Sequence, residues 1–150
     1  MQQLVVPTPA GDILVECPSA RALHDPLGFG QDEPETATWI MGLPDGMLLW
    51  DIGANIGLYS LLAGRRGLQV MAFEPSASSF AAMTRSIEIN GFSDRISAYC
   101  LAFTGETGLA TLNLASTAAG GNGIPGILAG CGFSQVSIEG AGRNRRFVRA

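Results

Sequence analysis

An apolar run, Met47-Leu48-Leu49-Trp50-Asp51-Ile52, leads straight into Gly53-Ala54-Asn55-Ile56-Gly57 and then Leu58-Tyr59-Ser60. Such a run, with one acid near its end, suits a parallel strand buried on both faces. Two glycines four apart then suit a tight bend opening a helix. The first permits close backbone approach, and the second lets the helix lie against the strand. Parallel strands need a crossover to return, so this feature commits the chain to β-α-β units.

The following residues supply them. Gly57–Arg66 reads as a helix closed by Arg65, Arg66 and Gly67, and Gln69–Phe73 as a second buried strand. Phe80, Met83, Thr84 and Ile87 have helical spacing, and Asn90-Gly91 stops that helix. Ile96–Leu101 is a third strand, and Leu109–Leu114 a fourth after the Gly105-Glu106-Thr107-Gly108 turn. Right-handed crossovers place the first three strands in the order 3-2-1 of an open α/β sheet. Upstream, Leu4-Val5-Val6 and Ile13–Cys17 flank a proline-rich turn and read as a hairpin. Residues 18–38 read as a loop entering a short helix around Thr36–Met41. The expected division is therefore 1–46 (hairpin, loop and short helix), 47–115 (the α/β core) and 116–150 (a glycine-rich segment with an arginine tail).

Composition removes several function classes. With 47% hydrophobic and 15% charged residues the chain can bury a core, which excludes disorder. Its nine basic residues are all arginine, which excludes a P-loop lysine, a Schiff base or a lysine general base from this chain. A net charge of −4 argues against nucleic acid as a partner. Arg143, Arg145, Arg146 and Arg149 are confined to the last eight residues, where the expected state is a solvated, frayed end. Cys17, Cys100 and Cys131 show no CxxC spacing and suit reduced thiols in a cytoplasmic protein. His24 is the single imidazole, and with scattered cysteines it makes no metal site. Residues 107–138 carry no charge, but Asn113, Asn122, Pro125 and many glycines break the stretch, so no membrane span is expected.

The bend narrows the chemistry. Helix-opening N–H groups can hold a carboxylate or phosphate. Asn55, however, stands where a dinucleotide fingerprint has its second glycine, and a side chain there obstructs a pyrophosphate. Glu74 ends the second strand about 20 residues after Gly53, where a carboxylate can accept both hydroxyls of a ribose. A nucleoside without pyrophosphate, carrying an amino-acid tail, satisfies both facts; S-adenosylmethionine is one. An NAD-dependent oxidoreductase is the disfavoured rival, and an ordinary solvated strand-end acid remains the plain reading of Glu74.

The strings Asp51-Ile52-Gly53-Ala54-Asn55-Ile56-Gly57-Leu58-Tyr59-Ser60, Ala72-Phe73-Glu74-Pro75 and Ile89-Asn90-Gly91 resemble the FkbM family of S-adenosylmethionine-dependent methyltransferases. The resemblance runs from about Glu33 to Leu114. It implies a Rossmann-like class I methyltransferase fold, here C-terminally incomplete and preceded by the hairpin. It implies that Asp51, Gly53, Ala54, Asn55 and Gly57 surround the methionine part of the cofactor, that Glu74 holds the ribose, and that backbone near Ala102 borders the adenine. It further implies O-methylation of a sugar, polysaccharide or secondary-metabolite hydroxyl, with a small-molecule or glycan acceptor.

Complete relatives are longer, and Gln135–Gly142 only partly matches their next strand. The chain therefore also admits a second reading, a truncated non-catalytic remnant that binds the cofactor or a partner chain. An unpaired edge on the first strand of the core would then favour self-association. A hydroxyl acceptor needs a base or metal. His24 is the one candidate imidazole base, though in its proline- and glycine-rich loop a surface histidine is the plainer reading. Glu33 at the rim is either a ligand contact or, more plainly, an exposed loop charge; no catalytic residue is assigned.

Overall fold

A computed structural model describes residues 2–103 and 145–149; of Arg21, His24 and 145–149 it describes the backbone alone. The expected strand at 109–114, the partial motif at 135–142 and Cys131 lie outside the described residues.

β1 (Gln2–Val6) and β2 (Ile13–Cys17) form an antiparallel two-stranded sheet, with Val6 opposite Ile13. A 3-10 turn at Arg21–Leu23 and α1 (His24–Leu27) follow, then α2 (Pro34–Gly42). The core alternates β3 (Leu48–Ile52), α3 (Leu58–Arg66), β4 (Gln69–Phe73), α4 (Ala77–Ile89) and β5 (Ile96–Tyr99). β3, β4 and β5 are parallel neighbours, and β6 (Arg145–Arg149) pairs antiparallel with β3, giving the order β5-β4-β3-β6.

Two local expectations are corrected. The segment after β2 is not wholly loop, because Pro26 and the residues before it wind into the 3-10 turn and α1. The arginine-rich end is a strand rather than a frayed tail. Its register places Arg146 beside Asp51 and Phe147 beside Trp50, so β3 is paired on both edges. The sheet edge expected to be open is thereby covered. Ladder hydrogen bonds satisfy a strand's backbone groups whatever the side chains, which lets an arginine-rich sequence serve.

The core is built around α3. All its residues from Leu58 to Gly64 are buried, although a surface helix buries a single stripe. The sheet packs on one side of it, while β2 and α2 pack on others. Leu61 and Leu62 are fully buried, and each such leucine contributes about 1.5–3 kcal/mol. Arg66 serves α2 as much as α3's dipole: its Nε donates to the Met41 carbonyl at 3.1 Å, and Nη2 donates to Leu43.

The hairpin is tied to α4 by side chains that stand in for a strand. Asn90 accepts from the Leu14 N–H at 2.9 Å and donates back to its carbonyl at 2.6 Å, while Ser86 Oγ accepts from the Glu16 N–H at 2.9 Å. The residue that stops α4 is thus also the clip for β2.

Gly57 sits at the corner where bend, α3 and α4 meet. Its φ is +86°, and an added Cβ would lie 2.6 Å from Met83 Cγ. The left-handed backbone costs a non-glycine residue about 1–2 kcal/mol, and overpacking adds about 1–3 kcal/mol. Gly57→Ala is therefore expected to lower unfolding free energy by roughly 2–5 kcal/mol, as read from the urea midpoint.

Candidate functional site

Where β3 ends, the chain turns within five residues. The N–H groups of Gly53 and Ala54 both donate to the Phe73 carbonyl, at 2.9 and 3.0 Å, so the bend is anchored to the end of β4. Gly53 (φ +79°), Asn55 (φ +55°) and Gly57 (φ +86°) all take left-handed backbone. Asn55 is the one described non-glycine residue that does so, and asparagine tolerates that region better than most residues. The Gly57 N–H closes the turn on the Ala54 carbonyl at 2.8 Å, and α3 begins.

Glu74 faces this bend. One carboxylate oxygen accepts from the Asn55 backbone N–H at 2.8 Å, and the other from the Ser76 N–H at 2.8 Å. The residue is 6% exposed. Burial pushes its carboxyl up from the ordinary value, the two backbone N–H bonds pull it back, and nearby Asp51 adds to the rise; the net direction is upward. Each oxygen retains a second lone pair for a further donor.

Asp51, fully buried, accepts from Ser60 Oγ at 2.7 Å, a bond that joins the end of β3 to the first turn of α3. Above the bend, the Asn55 side chain donates from Nδ2 to Asp25 Oδ2 at 2.7 Å, while Oδ1 is buried without a hydrogen-bond partner among the described residues. The segment that carries Asp25 continues across α3. Phe29 lies with its ring centroid 5.4 Å from Tyr59, and the Tyr59 hydroxyl donates to the Glu33 carbonyl at 3.4 Å.

An added Cβ on Gly53 would meet nothing within 4 Å, so that side of the bend is open. The fold thus gathers Asp51, Gly53, Ala54, Asn55, Gly57 and Glu74 at the C-terminal ends of two parallel strands, where open α/β sheets bind ligands. Ala102 stands apart. It is exposed beyond the end of β5, followed by Phe103, whose ring packs edge-on against Phe73 at 4.8 Å. Glu33 engages its own helix start, its carboxylate accepting from Thr36 Oγ1 at 3.4 Å. His24 opens α1 next to Asp25. Among the described residues no group of three or more His, Cys, Asp and Glu could hold a metal, and no helix is long and apolar enough to cross a membrane. Cys17 is buried and Cys100 exposed, both free; burial, and then the charges of Glu16 and Asp25, push the Cys17 thiol up.

No family model and no curated protein matches the chain. Among solved structures, it is similar to the C-terminal domain of precorrin-6Y C5,15-methyltransferase from Rhodobacter capsulatus, with 28% identity and a TM-score of 0.43. That similarity covers 46% of this chain and 39% of the other. The chain thus spans well under two thirds of that relative, and at this TM-score the fold rests on its own strands and helices.

Sequence reasoning missed Asp25, Ser60 and Ser76. Ser60 lies nine residues after Asp51, and Ser76 two after Glu74. The local pattern of strand-end acid followed by helix-start serine was a usable signal for both. Asp25, 30 residues from Asn55, offered none.

Glu74 sets a pH dependence. Because its folded-state carboxyl is raised, the native chain holds a proton that the unfolded chain has released. Stability therefore falls as pH rises from the ordinary carboxyl value through the raised one, and the cost is fully present above it. Melting temperatures measured across that window should decline in the wild type, and Glu74→Gln should lack this component of the slope.

Proposed function

We propose that the bend and Glu74 bind the adenosyl amino acid S-adenosylmethionine, and that the chain serves methyl transfer. The observation that carries this reading is the Glu74 carboxylate, 2.8 Å from the Asn55 N–H and with lone pairs to spare, beside an open Gly53. The donor set fits the group. Glu74 would accept the ribose hydroxyls, and the further bonds would favour its ionised form and offset part of the desolvation. Gly53 allows the backbone to be approached closely. The Asn55 side chain, held over the bend, argues against the pyrophosphate of a dinucleotide.

When bound, S-adenosylmethionine supplies an electrophilic methyl carbon on a sulfonium. The chain's own part is to hold the nucleoside and its amino-acid tail in one orientation, so that the acceptor can approach in line. Asp51 and Ser60 lock the end of β3 to α3, which keeps the bend in place. The motif resemblance to the FkbM family supports a hydroxyl on a small molecule or glycan as the acceptor, and Ala102, beyond the next strand, as a border of the adenine.

S-adenosylhomocysteine, the stable product, is expected to raise the melting temperature, and NAD at the same concentration to leave it unchanged. Ligand at 100 times its Kd corresponds to about 2.7 kcal/mol. Glu74→Ala should abolish the shift. Equal protection by NAD, or protection by neither, would overturn the assignment. Gly53→Ala is expected to cost about 1–2 kcal/mol in stability, from its left-handed φ alone, and to weaken S-adenosylhomocysteine binding as well.

A further inference from the structure

Asn55 is held twice. Its backbone N–H is fixed by Glu74, and its side-chain amide by Asp25, 30 residues earlier in α1. A primary amide has a donor end and an acceptor end, and rotation by half a turn exchanges them. A carboxylate can only accept. Asp25 therefore dictates that Nδ2 faces α1 and that Oδ1 is the end left over. That oxygen is buried and has no hydrogen-bond partner among the described residues. A buried, unmatched carbonyl oxygen typically costs about 1–3 kcal/mol, so a ligand donor that reached it would recover that cost.

We propose that Asp25 is a positioning residue of the nucleoside site: it sets the Asn55 amide so that its carbonyl oxygen is offered to the ammonium group of the ligand's amino-acid tail. This rests on the methyl-donor reading, which already puts Asn55 beside the amino-acid tail, and deepens it by naming Asp25, outside the bend, as the group that decides which end of the Asn55 amide the tail meets. The ammonium has three donors and no acceptor, so it suits an oxygen and would be repelled by the amide's other end. The strained backbone of Asn55 fits the same role. Asparagine keeps φ at +55° at a position where glycine would be easier, and glycine has no amide to offer.

The test compares S-adenosylhomocysteine with 5′-methylthioadenosine, which has the nucleoside and thioether but lacks the amino-acid end, by calorimetric titration. The wild type is expected to prefer S-adenosylhomocysteine. Asp25→Ala should weaken S-adenosylhomocysteine about tenfold and leave 5′-methylthioadenosine within about threefold, since only the tail loses its partner. Asp25→Asn can still accept from Asn55 Nδ2, so it should keep the wild-type preference. The proposal is overturned if Asp25→Ala weakens both ligands equally or neither, or if Asp25→Asn behaves like Asp25→Ala. A wild type that binds neither nucleoside sinks the methyl-donor reading and the tail assignment with it. The clasp is then judged separately by amide hydrogen exchange over residues 54–57. Faster exchange in Asp25→Ala and not in Asp25→Asn supports it, and unchanged exchange in both overturns it.

Discussion

A single carboxylate, taken almost wholly out of water and braced by two backbone amides, organises this molecule. Glu74 stands at the end of β4, but the groups it grips belong to its neighbours: Asn55 in the bend after β3 and Ser76 at the start of α4. Burying an ionised group is costly unless its oxygens are matched, and here both are matched by N–H donors. The balance still falls on the side of desolvation, as the raised carboxyl shows. Such a group is under-supplied with donors. A hydroxyl-bearing ligand at the open side of Gly53 would meet an acceptor that gains more from the contact than a solvated acid does.

The layers explain why the bend is held so firmly. α3 lies between the sheet and the outer layer of hairpin and α2, buried from Leu58 to Gly64. Its first turn bears Ser60, bonded to Asp51, and Tyr59, against Phe29. Val6, Ile13, Val15, Ala37 and Ile40 of the N-terminal segment thus belong to the same core. Asn90 and Ser86 join β2 to α4 by supplying, from side chains, the pairing that a third strand would have given.

What was legible in the sequence follows from how far apart the interacting residues are. β3, β4, α4 and the stop at Asn90 were visible because apolar periodicity and a glycine-bounded bend are local signals. Glu74 was legible for the same reason, since its distance from Gly53 is fixed by one helix and one strand. The 3-10 turn and α1 were hidden in a proline- and glycine-rich stretch whose reason for winding up is tertiary: Asp25 meets Asn55, and Phe29 meets Tyr59. The charge content of residues 145–149 pointed to solvent, whereas the open edge of β3 overrode that preference. Nor did the sequence of α3, with two arginines at its end, disclose a helix buried throughout from Leu58 to Gly64. Arg66 fits beside that packing by turning its guanidinium to the carbonyls of Met41 and Leu43 at the end of α2.

The pairing of β3 with β6 has a consequence for biosynthesis. β3 is complete by residue 52, and its second neighbour begins at residue 145. At ordinary elongation rates of about 5–20 residues per second, that partner is made roughly 5–20 s after β3. Until β6 has been made, the β3 edge that it pairs in the fold lacks that partner. The β3–β4 ladder, whose strands are joined through α3 alone, can form well before the β3–β6 ladder.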